Sequence, residues 1–151
     1  MYDELIGQAE AVLATETDPI VWMTTLACLI REAFGFLWVG FYRARGRELL
    51  VGPYQGTIGC LRISFDRGVC GACARQRKTV IVDDVQRFPD HITCDSRARS
   101  EIVVPVFDAS GVLRAVLDID SREVGTFDEV DQAGLERLVA PMRDLRWAAS
   151  I

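Results

Sequence analysis

Two groups of residues in this chain are of types that do chemistry. The first is a set of cysteines, Cys60, Cys70, Cys73 and Cys94, with the single histidine, His91, three positions before the last of them. A thiolate attacks an oxidised sulfur, is left oxidised itself, and is rescued by a second thiol that closes a disulfide for an external dithiol to reduce. Such a cycle needs at least two cysteines and one movable loop, and Cys60, Cys70 and Cys94 offer them. Two other readings use the same residues. Cys70-x-x-Cys73 with His91-x-x-Cys94 has the make-up of a tetrahedral zinc set of three thiolates and one imidazole. Cys70-x-x-Cys73 at a helix start could also be a redox pair whose thiol pKa is lowered by exposed N–H groups. Against zinc, the chain has apolar residues enough for a core without a metal staple. Against the redox pair, the customary preceding strand and aromatic residue are absent. His91 has no serine or aspartate partner for a hydrolytic triad and is given only the role of shaping the loop beside Cys94.

The second group is Leu117-Asp118-Ile119-Asp120-Ser121 at the end of an expected strand. Alternation puts Asp118 and Asp120 on one face and Leu117 and Ile119 on the other. In the bland version the carboxylates face water. Glu101, at the start of the preceding strand, can add a third carboxylate. Three carboxylates together repel unless a cation is bound or some are protonated. A substrate ammonium would answer that need, and a protonated member would serve as general acid.

Elements must position these groups. Leu5, Ile6, Ala9, Val12 and Leu13 draw one apolar stripe, which predicts a helix over residues 2–14. Asp18 as cap and Pro19 at the first helical position start a second helix that runs to Phe34, with Gly35 placed to end it. Cys28 lies beside its apolar stripe and is expected to be buried. Residues 36–44 and 47–51 read as a hairpin across Arg45-Gly46, and residues 58–63 as a short strand carrying Cys60. A short helix over 69–78, a strand over 79–82 and a long loop over 83–99 follow, the loop holding His91 and Cys94. Residues 101–107 and 112–119 make a second hairpin through Asp108-Ala109-Ser110-Gly111. Thr126-Phe127-Asp128-Glu129 fits a capping box that opens a last helix to about Trp147, which Pro141 can kink. The order predicts an α+β sandwich with the terminal helices on one face of a mostly antiparallel sheet.

Composition narrows the function classes. With 151 residues, half of them hydrophobic, the chain is expected to form one domain over residues 1–151. A net charge of -5 with scattered arginines gives no basic field, so nucleic-acid binding is not expected. The sequence from Met1 shows neither a basic-then-apolar leader nor an apolar run of bilayer length, so a soluble, cytoplasmic protein without membrane association is expected. An odd count of five cysteines argues for redox chemistry or metal binding rather than a disulfide scaffold.

Six short blocks occur in an order that resembles the free methionine-(R)-sulfoxide reductases, a catalytic branch of the GAF domain. They are Gly52-Pro53-Tyr54-Gln55-Gly56, Ile58-Gly59-Cys60-Leu61-Arg62-Ile63, Gly68-Val69-Cys70-Gly71, Asp90-His91-Ile92-Thr93-Cys94-Asp95, Ser100-Glu101-Ile102-Val103-Val104-Pro105 and Leu117-Asp118-Ile119-Asp120-Ser121. The resemblance implies a GAF-like fold with a loop-enclosed pocket on the sheet face opposite the terminal helices. It implies that Cys94 attacks the sulfoxide sulfur, that Cys70 is the first candidate for the resolving thiol, and that Cys60 is a second partner. It also implies substrate contacts from Glu101, Asp118 and Asp120, with Trp38 and Tyr54 as aromatics near the pocket. No metal or cofactor is implied; recycling by a thioredoxin-type dithiol, a homodimer and a part in oxidative stress defence are. Cys73 departs from the family's set and offers a competing partner for Cys70. The alternative is a GAF sensor module that binds a small ligand without turning it over.

Overall fold

The structure, a computed structural model, describes residues 1–148. Helix α1 (Tyr2–Leu13) and helix α2 (Pro19–Phe34) form where the apolar stripes place them. The Asp18 carboxylate accepts from the Ile20 N–H, and Gly35 closes α2 in the left-handed region (φ 68°), its N–H donating to the Arg31 carbonyl. A residue with a Cβ is disfavoured in that conformation.

Six strands follow: β1 (Trp38–Arg45), β2 (Glu48–Gln55), β3 (Arg62–Ser64), β4 (Val80–Val82), β5 (Ser100–Phe107) and β6 (Leu113–Ser121). They form one antiparallel sheet in the order β3-β2-β1-β6-β5-β4. The long β1–β6 and β5–β6 ladders carry the register that matters, with Trp38 opposite Asp120 and Asp120 opposite Glu101.

One sheet face packs against α1, α2 and the last helix, α4 (Glu129–Val139). Val39, Phe41, Ile102, Val104, Leu117 and Ile119 meet Leu26, Ile30, Leu135 and Met142 there in a single apolar cluster. On the other face lie Trp38, Tyr42, Val103 and Val116, covered by helix α3 (Gly68–Gln76) through Val69, Cys70 and Cys73. Gly71 permits this approach: a Cβ there would lie 2.7 Å from the Phe65 carbonyl oxygen and 2.8 Å from that of Ser64. Residues 83–99 remain a loop, as expected, apart from one 3-10 turn at Val85–Arg87.

Four expectations need correction. Cys60 is not in a strand; β3 begins at Arg62, and Ile58 and Leu61 are 81% and 70% exposed, so the apolar residues before β3 face solvent instead of anchoring a strand. The capping box is present but two residues later: Asp128 accepts from the N–H groups of Val130 and Asp131, and the Asp131 carboxylate accepts from the Asp128 N–H. Thr126 instead shares a hydrogen bond with Ser121 (2.7 Å). The last helix does not continue to Trp147, because Pro141 has no N–H to extend the ladder and residues Ala140–Asp144 form a 3-10 turn. Cys28 is half-buried rather than enclosed. Among the described residues no helix is long and apolar enough to cross a membrane.

Candidate active site

Between the second sheet face, the start of α3 and the 88–98 loop lies a small cavity of about 30 Å³. Its polar lining comprises Cys70, His91, Cys94, Asp95, Glu101, Asp118 and Asp120, and its apolar lining includes Ile63, Val69 and Ile92. The site therefore joins the two groups picked out by residue type. Sheet register does part of this work, since Glu101 and Asp120 are opposed across β5 and β6, and Asp118 follows two residues away on the same face.

The carboxylates do not face water. Asp118 is 5% and Glu101 6% exposed, while Asp120 is half-buried. Burial pushes the Glu101 carboxyl well above the ordinary range, and the neighbouring charges of Asp118 and Asp120 add to it. Asp120 is raised well above its usual value by burial and then by Asp118 and Asp95. Burial raises Asp118 too, but hydrogen bonds with Glu101 and Cys70 pull in the other direction. All three shifts run upward, and only at Asp118 do all the hydrogen bonds oppose the rise, so it is the member of the cluster whose charged form is best supported. The Asp118 Oδ1 atom is buried without a hydrogen-bond partner. No lysine or arginine lines the cavity among the described residues, so nothing from the protein neutralises that charge.

Cys70 occupies the first turn of α3, 3% exposed, with its thiol 3.9 Å from Glu101 Oε1. A helix start favours a thiolate, but here burial and then the adjacent Asp118, Glu101 and Asp120 raise the pKa well above the ordinary thiol value. The redox-pair reading required a lowered pKa; the shift here runs the other way, and Cys70 and Cys73 are both free thiols. Cys73 is fully buried in the apolar cluster under α3 and does not line the cavity, so the four residues of the zinc set are not assembled.

Cys94, in the exposed loop, is joined by a disulfide to Cys60, with Cα atoms 5.5 Å apart. Cys70 is a free thiol. The partner of Cys94 in this state is therefore Cys60 and not Cys70, the first candidate from sequence. The reason lies in the elements: Cys60 sits in a loop that meets the Cys94 loop, whereas Cys70 is fixed in a helix with its thiol turned to Glu101.

Trp38 and Tyr54 stack at 5.0 Å between ring centroids but do not line the cavity. Trp38 acts one layer back. Its indole N–H donates to the Thr57 carbonyl (2.9 Å), and its ring packs so closely under Gly59 that a Cβ there would lie 2.9 Å from it. The indole thus holds the segment carrying Cys60. The Thr57 hydroxyl in turn donates to Asp95 Oδ2 (2.7 Å), tying that segment to the residue after Cys94. Asp95 also pairs with Arg97 (2.8 Å), which with Thr57 holds its carboxyl well below the usual range.

Sequence reading gave no part in the site to four contributors. His91 Nε2 lies 3.9 Å from Glu101 Oε2, and burial lowers its pKa, leaving a neutral imidazole against the cavity. Tyr42, 1% exposed, stacks on Trp38, and its hydroxyl is raised far above its usual pKa by burial and then by Asp118. The spacing Trp38-x-Gly40-x-Tyr42 was a signal for it, since these residues share one strand face. Thr57 and Asp95 had no signal in type or spacing.

Known proteins resemble this chain in sequence and in fold. The GAF domain model matches residues 23–144, and the chain belongs to that family. A protein of Saccharomyces cerevisiae named free methionine-R-sulfoxide reductase is 44% identical over 144 residues, covering 90% of this chain and 80% of its own. One of the same name from Escherichia coli is 37% identical over 142 residues, covering 93% and 86%. The crystal structure of free methionine-R-sulfoxide reductase from Neisseria meningitidis, in complex with its substrate, superposes with a TM-score of 0.90 at 44% identity, covering 94% of this chain and 86% of that one. Within the GAF family the chain thus falls in the free methionine-R-sulfoxide reductase branch.

Proposed function

We propose that this protein reduces free methionine (R)-sulfoxide to methionine, with Cys94 as nucleophile and Cys60 as resolving thiol. The observation that carries the reading is the disulfide between Cys60 and Cys94 at the mouth of a cavity lined by Glu101, Asp118 and Asp120. The Cys94 thiolate attacks the sulfoxide sulfur while a neutral carboxyl, Glu101 or Asp120, gives its proton to the departing oxygen. The sulfur–oxygen bond of the substrate breaks, the protonated oxygen ends bonded to Cys94 Sγ as a sulfenic acid, and the substrate sulfur keeps the electron pair as methionine leaves. The Cys60 thiol attacks that sulfur, water departs, and the disulfide forms. A thioredoxin-type dithiol restores both thiols by exchange and is itself oxidised.

Substrate choice follows from charge. Asp118, buried with an unpartnered oxygen and no cation beside it, suits an α-ammonium, which a peptide-bound methionine lacks. The cavity of the disulfide form is roughly the size of one water, so this form excludes the amino acid and the Cys94 loop must move once reduced. We expect a metal-free catalyst that works as a homodimer in the cytoplasm, where dithiol reductants keep the cycle running. Both epimers of methionine sulfoxide, free and peptide-embedded, are to be offered with a thioredoxin system. Turnover of the free (R) epimer alone is expected; an inert wild type, or turnover that Cys94→Ser leaves intact, refutes the reading.

A further inference from the structure

The same cage has donors for something other than an amino acid. Cys70 Sγ and one carboxylate oxygen each of Glu101 and Asp118 lie within 4.8 Å of one another, all three residues buried. His91 Nε2 stands 3.9 Å from Glu101 Oε2 on the loop side. Asp118 Oδ1 is buried without a hydrogen-bond partner, an acceptor left unpaired on a residue that lines the same cavity.

We propose that Cys70, Glu101 and Asp118, with His91 as fourth donor, bind a borderline divalent cation, Zn²⁺, which competes with the substrate for the cavity. A tetrahedral zinc with sulfur at about 2.3 Å and oxygen at about 2.0 Å sets those two atoms about 3.5 Å apart. Cys70 Sγ and Glu101 Oε1 are 3.9 Å apart, so a small contraction brings this pair to that spacing, and an inward shift of His91 on its loop completes the shell. One sulfur and one imidazole among the donors favour zinc over magnesium or calcium, which take oxygen shells. Binding moves no electrons: the ion replaces the Cys70 thiol proton and those held by the carboxyls, which pass to solvent. This zinc is no folding staple and differs from the cysteine-rich set considered from sequence, because Cys73 and Cys94 take no part. The competition rests on the substrate reading above, since ion and ammonium would both answer the Asp118 charge. It makes zinc a brake on the reductase that leaves the Cys60–Cys94 pair chemically free.

Co²⁺ is the probe, added to protein treated with a phosphine reductant and then freed of it. One Co²⁺ per chain with a thiolate-to-metal charge-transfer band is expected. The band should vanish in Cys70→Ser and persist in Cys73→Ser. Asp118→Asn should weaken affinity on the order of tenfold or more. Because none of the donors is a disulfide sulfur, the oxidised form should bind as well. Methionine sulfoxide should displace the ion, and Zn²⁺ should raise KM with kcat unchanged. Circular dichroism checks that each variant is folded. A band that survives Cys70→Ser, disappears in Cys73→Ser or in the oxidised form, or ignores methionine sulfoxide overturns the proposal. Turnover by a chain that binds no Co²⁺ refutes the ion site alone; stoichiometric Co²⁺ on an inert chain refutes the reductase reading alone.

Discussion

The two faces of the sheet are built from the same strands to opposite ends. Along β6, Leu117 and Ile119 enter an unbroken apolar layer under the helices, whereas Asp118 and Asp120 enter a layer where carboxyls and a thiol interrupt the packing. The helical face contributes stability by burying apolar surface. The opposite face gives stability up, because three carboxyl groups are desolvated beside one another without a protein cation. A strand can do both at once because alternate side chains never share an environment, so the chemistry on one side is underwritten by the packing on the other.

The sharpest break of this contrast should come from Cys94→Ser, which is expected to lower turnover on the order of a thousandfold or more while barely moving the denaturation midpoint. Coupled assays and urea titration of the same preparation read both. The opposite signature is expected on the helical face: Leu117→Ala should cost about 3 kcal/mol in urea denaturation and leave the KM of the remaining folded protein near the wild-type value. Next in size, Asp118→Asn should reduce kcat/KM about a hundredfold, mainly through KM, yet raise the denaturation midpoint at neutral pH by removing a buried charge.

A smaller effect sharpens the comparison through pH. Asp120 has a folded-state pKa above its unfolded one, so the folded form binds the extra proton. Its contribution is intact below the ordinary carboxylate range and is lost as pH rises through the elevated value. The stability advantage of Asp120→Asn over wild type should therefore grow between about pH 5 and about pH 8, as read by chemical denaturation. Smallest of all, Cys73→Ser should keep kcat/KM within about twofold, since that thiol faces packing rather than the cavity.

Residue type and local spacing carried much of this molecule. Helices α1 and α2 follow from apolar stripes and from the Asp18-Pro19 start, which are local signals. Alternation correctly separated Leu117 and Ile119 from Asp118 and Asp120, but it does not say whether the second face is wet. That depends on α3 and the 88–98 loop folding over it, a non-local event. The pairing of Cys94 with Cys60 was hidden for a similar reason. Residues 58–63 are apolar enough to read as a short strand, yet Ile58 and Leu61 are both exposed and the segment around Cys60 is a loop pinned by Trp38. The shifted capping box shows the limit of spacing patterns within even a few residues, since Asp128 and Asp131 satisfy the helix start as well as Thr126 and Glu129 would.

The hydrogen bond from the Thr57 hydroxyl to Asp95 does not depend on sulfur chemistry. If this clasp outlasts cleavage of the adjoining S–S bond, the two loops move as one, and re-formation of the bond proceeds inside a single molecule at high effective concentration. A sulfenic acid formed on the outer loop would then have its resolving thiol held nearby, ahead of peroxide or a stray thiol. Protection from over-oxidation would rest on a threonine and an aspartate that carry no sulfur themselves.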